Sequence, residues 1–277
     1  MIKKAAVLLL SIFLILPPLY AQEEEEQGNS IVDQVDWQHG PSTGDMDGIA
    51  EIEIPVGYVF TDGENAQMLM EAMGNSITDA EVGFFAPGDL SWYLIFEWDK
   101  CGYVKDDEKD EMDADELLKS IQKATERANS YRRKHGFSAL HVIGWETYPD
   151  YNESTHNLEW ATRARTDSGE VVINHNIRLL GRKGVMSATL VVDPENLPVA
   201  LADTHNYLEE YTFTPGNKYS EYKSGDKIAK YGLTALIVGG AAAVAAKSGL
   251  FKYLWKFLVL IGGGIVAFFR KIFGRRN

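Results

Sequence analysis

The segment at 144–160 carries the residue types most typical of a binding or catalytic site, because it combines aromatic rings with carboxylates. Its candidate residues are Trp145, Glu146, Tyr148, Asp150, Tyr151, His156 and Trp160. The first five leave a predicted strand and enter a predicted loop, where functional residues concentrate, and His156 and Trp160 follow. Aromatic faces beside carboxylates suit sugar binding, and two carboxylates could act as acid and base in glycan cleavage. The interpretation that we favour is structural: the rings wedge the loop against a sheet, and the acids stay in solvent.

A second candidate surface lies on alternate residues of a predicted strand. Asn174, Asn176 and Arg178 share one face of that strand, and Arg182 follows in the next turn. A polar stripe of this kind is typical of a solvated sheet face, and it suits a partner surface equally well. His175 alternates with apolar residues instead, which predicts a hydrogen-bonded residue in or beside the core.

No other pattern in the sequence indicates catalysis, a metal site or a cofactor. The acidic run at 106–116 lacks the glycine that a calcium-binding EF-hand loop needs, and acids around a helix start are favourable on electrostatic grounds alone. The six histidines form no HExxH or HxH pattern and no cluster with cysteine. Neither a GxSxG elbow nor a phosphate-binding glycine loop is present in the sequence. We therefore expect no metal and no cofactor, and we favour a non-enzymatic protein.

Charged and apolar residues are segregated along the chain. Residues 1–21 have a basic start, an apolar stretch and a small residue at the end, which predicts a signal peptide. The glutamate-rich stretch that follows predicts a disordered acidic N-terminus over 22–35. All 40 Asp and Glu residues lie between the leader and residue 228. So acidic a domain is an implausible partner for nucleic acid.

The last part of the chain predicts a membrane anchor with a basic tail over 228–277. Residues 228–246 are apolar over most of the length that a bilayer core requires, and their small residues favour close helix packing. A second apolar run at 250–269 contains Lys252 and Lys256, so a second span stays open. These features predict a main domain exported to the periplasmic side of a bacterial inner membrane. Its expected partners are the lipid bilayer and another envelope membrane protein or a second copy of itself.

The residue pattern between the two ends predicts an exported α+β domain over 36–214 and a juxtamembrane linker over 215–227. Alternating hydrophobicity predicts strands over 50–55, 92–98, 140–145, 155–164, 170–180 and 185–192. A long helix is predicted over 113–135, with shorter helices starting at a capping box at Thr61 and at about Glu195. The expected fold class is α+β. An antiparallel sheet carries the long helix and the shorter helices packed on it, followed by one or two C-terminal transmembrane helices.

Several ordered motifs resemble a known family. They are GYVKDDE at 102–108, DAD at 113–115, GW at 144–145, PDY at 149–151, LEWA at 158–161, LGR at 180–182 and GDKIAKYG at 225–232. Together they resemble domain-of-unknown-function family 2167, a bacterial family of predicted membrane-anchored proteins, over nearly all of residues 30–250. The resemblance implies an exported domain with C-terminal membrane segments, and it implies no activity and no catalytic residues. The order of the elements also resembles the Mog1/PsbP-type sandwich at the level of the fold.

Two hypotheses follow. The first is a membrane-anchored, non-enzymatic interaction or sensing module of the cell envelope. The alternative is an envelope glycan-binding or glycan-cleaving protein that uses the segment at 145–160. In either case the composition predicts that residues 22–227 fold alone when residues 228–277 are removed, because all the acids and the amphipathic elements lie there.

Overall fold

The computed structural model describes residues 30–239 except 76 and 111. The predicted signal peptide at 1–21, the predicted disorder at 22–29 and the predicted anchor at 240–277 lie outside the described residues. Among the described residues, none of the helices has the length and apolar character needed to cross a membrane.

The strands of the described chain form two antiparallel sheets. In chain order the strands are β1 (Gln38–His39), β2 (Ser42–Met46), β3 (Ala50–Ile54), β4 (Tyr58–Asp62), β5 (Glu81–Pro87), β6 (Tyr93–Asp99), β7 (Leu140–Asn152), β8 (Asn157–Thr166), β9 (Val171–Leu180), β10 (Val185–Val192) and β11 (Thr212–Phe213). The larger sheet has the strand order β1-β4-β5-β6-β10-β9-β8-β7, and the smaller has the order β11-β3-β2. This arrangement confirms the predicted α+β class with a large antiparallel sheet.

Four α-helices and two 3-10 turns complete the described chain. They are α1 (Gly63–Ala72), α2 (Ala114–Lys134), α3 (Leu197–Glu209) and α4 (Leu233–Ile237), with 3-10 turns at Ile31–Gln34 and Tyr219–Glu221. Asp113 caps α2 as predicted, because its carboxylate accepts hydrogen bonds from the backbone N–H groups of Asp115 and Glu116. The predicted cap of α1 is wrong by one residue. Asp62 accepts the capping bond, while the Thr61 hydroxyl donates to the Asp36 carbonyl.

The long strand β7 corrects the predicted loop in the segment at 144–160. The predicted strand stops at residue 145, but β7 continues to Asn152 and stays paired with β8. The pairing shifts register between Val142 and Gly144 and again on both sides of Thr147. Each β-bulge adds an unpaired residue and breaks the alternation of inward and outward side chains. The sequence pattern is therefore lost where the strand itself continues.

The larger sheet has a helix-covered face on each side. We call the side covered by α1, α2 and α4 the front face, and the side covered by α3 and the smaller sheet the back face. Alternation along β9 places Asn174, Asn176 and Arg178 on the front face, and His175 and Ile177 on the back face. One strand thus contributes different chemistry to the two sides.

Residues 30–35 and 215–239 belong to the folded domain, which corrects the predicted disorder, linker and anchor boundaries. Val32 and Val35 are buried in the core, so the predicted disordered segment does not extend to residue 35. In the predicted linker, the buried Tyr219 donates a hydrogen bond to the Val104 carbonyl at 2.9 Å.

The start of the predicted anchor is also part of this core. Leu233, Leu236 and Ile237 of α4 are buried in one cluster with Trp160 on the front face of the sheet. Both a bilayer and a protein core bury apolar residues, so a short apolar run does not distinguish the two.

Candidate functional site

A cavity of about 130 Å³ with both polar and apolar lining lies on the front face, between the sheet and helices α2 and α4. We call it the front cavity. Its polar lining consists of Glu97, Asp99, Thr162, Asn174, Asn176, Arg178 and Ser187 from four neighbouring strands, together with Thr125 from α2. The apolar lining comes from Ile121, Trp160 and the segment 236–239. The cavity therefore brings together residues that are far apart in the sequence.

Asn174 is the most unusual residue of the front cavity. It is 2% exposed, and neither its side-chain oxygen nor its side-chain nitrogen has a hydrogen-bond partner in the described chain. The side chain of its neighbour Asn176 does have partners. It donates a hydrogen bond to the backbone carbonyl of Asn174 at 3.1 Å and accepts one from the Thr189 hydroxyl at 3.5 Å. A buried polar group without a partner costs about 1–3 kcal/mol. The Asn174 amide thus has unused hydrogen-bonding groups beside the cavity.

Acidic and basic side chains both line the front cavity. The Arg178 guanidinium lies 4.8 Å from the centre of the Trp160 ring, which suits a cation–π contact. Burial lowers the pKa of Arg178 to about 10, although the charges of Glu97 and Asp99 oppose this shift. Burial and, to a smaller extent, the charge of the Glu81 carboxylate raise the pKa of Glu97 to about 8, while the charge of Arg178 opposes this shift. Glu97 can therefore take up or release a proton near neutral pH.

Helix α4 is fastened to the domain beside the front cavity by polar contacts. The Tyr231 hydroxyl donates a hydrogen bond to the Asp99 carboxylate in the cavity wall. At the first turn of α4, the Thr234 hydroxyl donates to Glu108 at 2.6 Å. Gly232 leaves room for this contact, because a Cβ atom at that position would collide with the Glu108 carboxylate. The acidic run at 106–116 thus has structural roles.

Comparison with known proteins identifies the family of the chain. The model of a family described as "Protein of unknown function (DUF2167)" matches residues 36–270. The chain belongs to this family. No curated protein matches it.

Two solved structures share part of the fold of this DUF2167 domain. One is the solution structure of cyanobacterial PsbP (CyanoP) from Synechocystis sp. PCC 6803, with 12% identity, a TM-score of 0.38, and coverage of 61% of this chain and 89% of that one. The other is a mutant of protein Mog1, with 9% identity, a TM-score of 0.32, and coverage of 63% and 96%.

The aromatic residues of the segment at 144–160 are mostly packed into the DUF2167 domain. The Trp145 indole N–H donates to the Ala114 carbonyl at 3.2 Å, and the Tyr151 hydroxyl donates to Asp106 at 3.1 Å. His156 contacts the same Tyr151 hydroxyl and packs on the Tyr219 ring. These contacts favour the wedge interpretation over an open platform for a sugar.

The remaining predicted residues of this segment do not form a site together. Glu146 forms an ion pair with Arg163 at 2.6 Å, whereas Asp150 and Tyr148 are exposed. Trp160 is buried and is the one member of the predicted segment that lines the front cavity. An acid–base pair in a cleft is therefore not evident from these contacts.

The predicted polar stripe on β9 has a different environment from a solvated sheet face. Asn174, Asn176 and Arg178 are covered by α2 and α4 and line the front cavity, so the solvated interpretation is wrong for them. Arg182 lies outside this lining. It binds Asp226 with two hydrogen bonds, at 2.7 and 2.8 Å, and so joins a hairpin turn to the segment before α4.

Sequence reasoning missed the cavity residues Glu97, Asp99, Thr162 and Ser187. A signal for two of them was present, because the front-facing residues of β6 change from apolar Tyr93 and Ile95 to acidic Glu97 and Asp99. An acid at an inward position of a core strand indicates a special environment.

Spacing along the chain also gave no indication of a cluster on the back face. There the structure brings one ligand atom each from Glu159, His175 and His205 within 4.8 Å of one another. Since the three residues come from different elements, no short motif could reveal them.

His141 gives a pH-dependent test of the front-face packing. Its Nδ1 lies 2.6 Å from Glu126 on α2, and its Nε2 lies 2.9 Å from Asp167 in the β8–β9 turn. Hydrogen bonds to Asp167 and Glu126 raise the pKa of His141, so its contribution to stability is present below pH 6.5 and lost as pH rises through the folded pKa. We expect His141→Ala to cost less than about 1 kcal/mol at pH 6, since the groups are partly exposed, and less still at pH 9.

Urea unfolding of the wild type and of His141→Ala at both pH values measures this difference. The control His39→Ala changes an exposed histidine on β1 and should change stability little. An equal cost of His141→Ala at pH 6 and pH 9 would contradict the ion-pair contribution.

Proposed function

We propose that the protein is a non-enzymatic sensing module of the bacterial cell envelope, in which a membrane-anchored, exported domain binds a small polar ligand in the front cavity. The observation that carries this proposal is the unpartnered, buried amide of Asn174 inside a cavity that also holds Arg178 and Glu97. Folding alone gains nothing from such a group, because an apolar side chain of similar size would avoid its desolvation cost. A ligand that pairs with the amide accounts for its retention.

The lining of the front cavity indicates the chemistry of the ligand. Arg178 makes one long hydrogen bond, to the Ile177 carbonyl at 3.4 Å, so further guanidinium N–H groups are available to a carboxylate or phosphate. Glu97 and Asp99 provide acceptors for an ammonium or hydroxyl group, and Asn174 offers both a donor and an acceptor. Small zwitterions, such as free amino acids, combine these features.

The position of α4 supports a sensing role. Leu236, Ile237 and Gly239 line the cavity, and residue 240 opens the remaining part of the predicted anchor. A ligand that contacts this wall would favour one position of the chain that leads to the membrane. The signal would pass to another envelope membrane protein or to a second copy of the chain, through the small residues predicted to pack closely there.

The alternative, a glycan-binding or glycan-cleaving protein, gains no support from the packing of the segment at 145–160. Two of its aromatic residues, Trp145 and Tyr151, donate their side-chain hydrogen bonds to other residues of the domain. Glu146 is paired with Arg163. We therefore do not propose this function.

Thermal unfolding of the full-length protein in detergent micelles tests the ligand proposal. The probes are free L- and D-amino acids and small hydroxy acids, each at millimolar concentration. A ligand present at 100 times its Kd stabilises the folded state by about 2.7 kcal/mol, which raises Tm by several degrees. We expect at least one probe to produce this shift in the wild type.

The variant Asn174→Leu should abolish the shift while raising the Tm of the ligand-free protein, because it removes two unsatisfied polar groups. The control Asn157→Leu makes the same change on β8 outside the cavity lining and should leave the shift intact. A wild type that no probe stabilises, or a shift that survives in Asn174→Leu, would contradict the proposed ligand site.

A further inference from the structure

Glu159, His175 and His205 converge on the back face, on the side of the sheet opposite to the front cavity. Glu159 lies on β8 and His175 on β9, where the register pairs Ala161 with His175. Glu159 is two residues from Ala161, so its side chain is the diagonal neighbour of His175 on the same face. His205 reaches the pair from α3, which packs over this face.

The distances within this cluster match those around a single bound ion. The Glu159 Oε2 atom lies 3.3 Å from His175 Nε2 and 3.1 Å from His205 Nε2. Ligand atoms that bind one tetrahedral ion at about 2.0–2.1 Å lie about 3.3 Å apart. One ligand atom from each of the three residues lies within 4.8 Å of the others, so small rotations of the side chains complete the geometry.

The cluster is buried on one side and open on the other. The side chain of His175 is 3% exposed, that of Glu159 is 29% exposed and that of His205 is 48% exposed. The buried His175 holds the cluster within the fold, and the exposed side of His205 leaves it accessible to an ion from solvent.

The hydrogen bond between His175 and Glu159 does not by itself account for a buried histidine at this position. The Nδ1 atom of His175 is buried and has no hydrogen-bond partner among the described residues. A buried ring nitrogen without a partner is costly, and Ile173 and Ile177 occupy the neighbouring inward positions of the same strand without that cost. The imidazole of His175 lies instead beside the carboxylate of Glu159 and the imidazole of His205.

We propose that Glu159, His175 and His205 form a binding site for one divalent transition-metal ion, with zinc as the best match. Two imidazole nitrogens and one carboxylate oxygen form a donor set that suits zinc and cobalt better than calcium or magnesium, which prefer oxygen ligands. Three protein ligands leave a fourth position on the exposed side of His205, where water can bind. The site is independent of the ligand proposed for the front cavity.

Metal binding to the full-length protein in detergent micelles tests this proposal directly. The probe is Zn²⁺, titrated at pH 7.5 against a chromophoric chelator, and the Tm is measured with and without the ion. We expect one tightly bound Zn²⁺ per chain and a higher Tm in its presence, because only the folded state brings the three ligands together. Bound Co²⁺ should give the visible spectrum of a four-coordinate site.

The variants His205→Ala and Glu159→Gln each remove one ligand and should weaken Zn²⁺ binding at least tenfold. Both change partly exposed side chains, and glutamine keeps the shape of Glu159, so both variants are expected to fold. The matched control is His141→Ala. His141 also contacts two carboxylates, but through opposite ring nitrogens that cannot share one ion. This control should bind Zn²⁺ as the wild type does.

Two results would overturn the proposal. One is a wild type that binds no stoichiometric Zn²⁺ and shows no change in Tm. The other is equal affinity in the wild type and in both ligand variants, which would place the bound ion elsewhere on the chain.

Discussion

A chain that ends at residue 227 is expected to lose about 5 kcal/mol or more of folding free energy relative to a chain that ends at residue 239. The segment 228–239 includes Leu233, Leu236 and Ile237, which are all buried against the front face. Each fully buried aliphatic side chain contributes about 1.5–3 kcal/mol. Since whole domains are stable by about 5–15 kcal/mol, the shorter chain should be largely unfolded or only marginally folded.

Polar contacts add to this effect. Removal of the segment deprives Asp99 of the Tyr231 hydroxyl and Glu108 of the Thr234 hydroxyl. It also exposes the wall of the front cavity and the core beside Trp160. This expectation replaces the prediction, made from composition, that residues 22–227 fold alone.

Chains 22–227 and 22–239, each expressed with an export signal, provide the measurement. Urea unfolding followed by circular dichroism should give a cooperative transition for the longer chain and a weak or absent one for the shorter chain. In the longer chain, Leu236→Ala should cost about 2–5 kcal/mol. The control Val199→Ala changes an exposed side chain on α3 and should cost little. Equal stability of the two chains would show that α4 is not part of the domain's core.

Replacement of Glu97 by glutamine is expected to stabilise the ligand-free protein by about 2–4 kcal/mol at pH 8.5. Burial and, to a smaller extent, the charge of Glu81 raise the pKa of this carboxyl from an ordinary value of 4.5 to about 8. A shift of one pKa unit corresponds to about 1.4 kcal/mol, and we use less than the full shift because the Glu97 side chain is only partly buried. Glutamine keeps the shape of the side chain and removes the charge.

The sign of the pH dependence follows from the two protonation states. Above pH 4.5 the unfolded chain ionises Glu97, whereas the folded domain keeps it protonated up to about pH 8. The free energy of the unfolded state therefore falls relative to that of the folded state as pH rises between these values, and the domain loses stability over this window. Above pH 8 the contribution of Glu97 becomes constant. Below pH 4.5 the wild type and Glu97→Gln should differ little.

Urea unfolding of wild type and Glu97→Gln at pH 5 and pH 8.5 measures the effect. Glu53→Gln, on an exposed position of β3, is the matched control and should change stability little at either pH. A stabilisation by Glu97→Gln that is no larger at pH 8.5 than at pH 5 would contradict the raised pKa. If the same variant also abolishes the ligand-induced shift in Tm, a destabilising charge has been retained for binding, as is common at functional sites.

Some elements of this protein could be predicted from the sequence because their determinants are local. Asp113 and the basic residues before Gly136 predict the two ends of α2, and the structure places that helix at Ala114–Lys134. Regular alternation predicts β10 with the bounds that it has in the structure. The same alternation separates Asn174, Asn176 and Arg178 from His175 along β9. Capping and alternation act over a few residues, so a short segment contains the information that decides them.

Tertiary structure alone decided the sites and the limits of the domain. Strand β7 stays paired with β8 through several bulges and so continues beyond the point where its alternation ends. The apolar residues of α4 face a protein core rather than lipid. The front cavity combines residues of four strands and two helices, and the metal site that we propose joins Glu159, His175 and His205 from three elements. The sequence by itself determined the fold class and the residue types on each strand face. Contacts between residues that are far apart in the chain decide which of these faces pack together. A local sequence pattern does not contain that information.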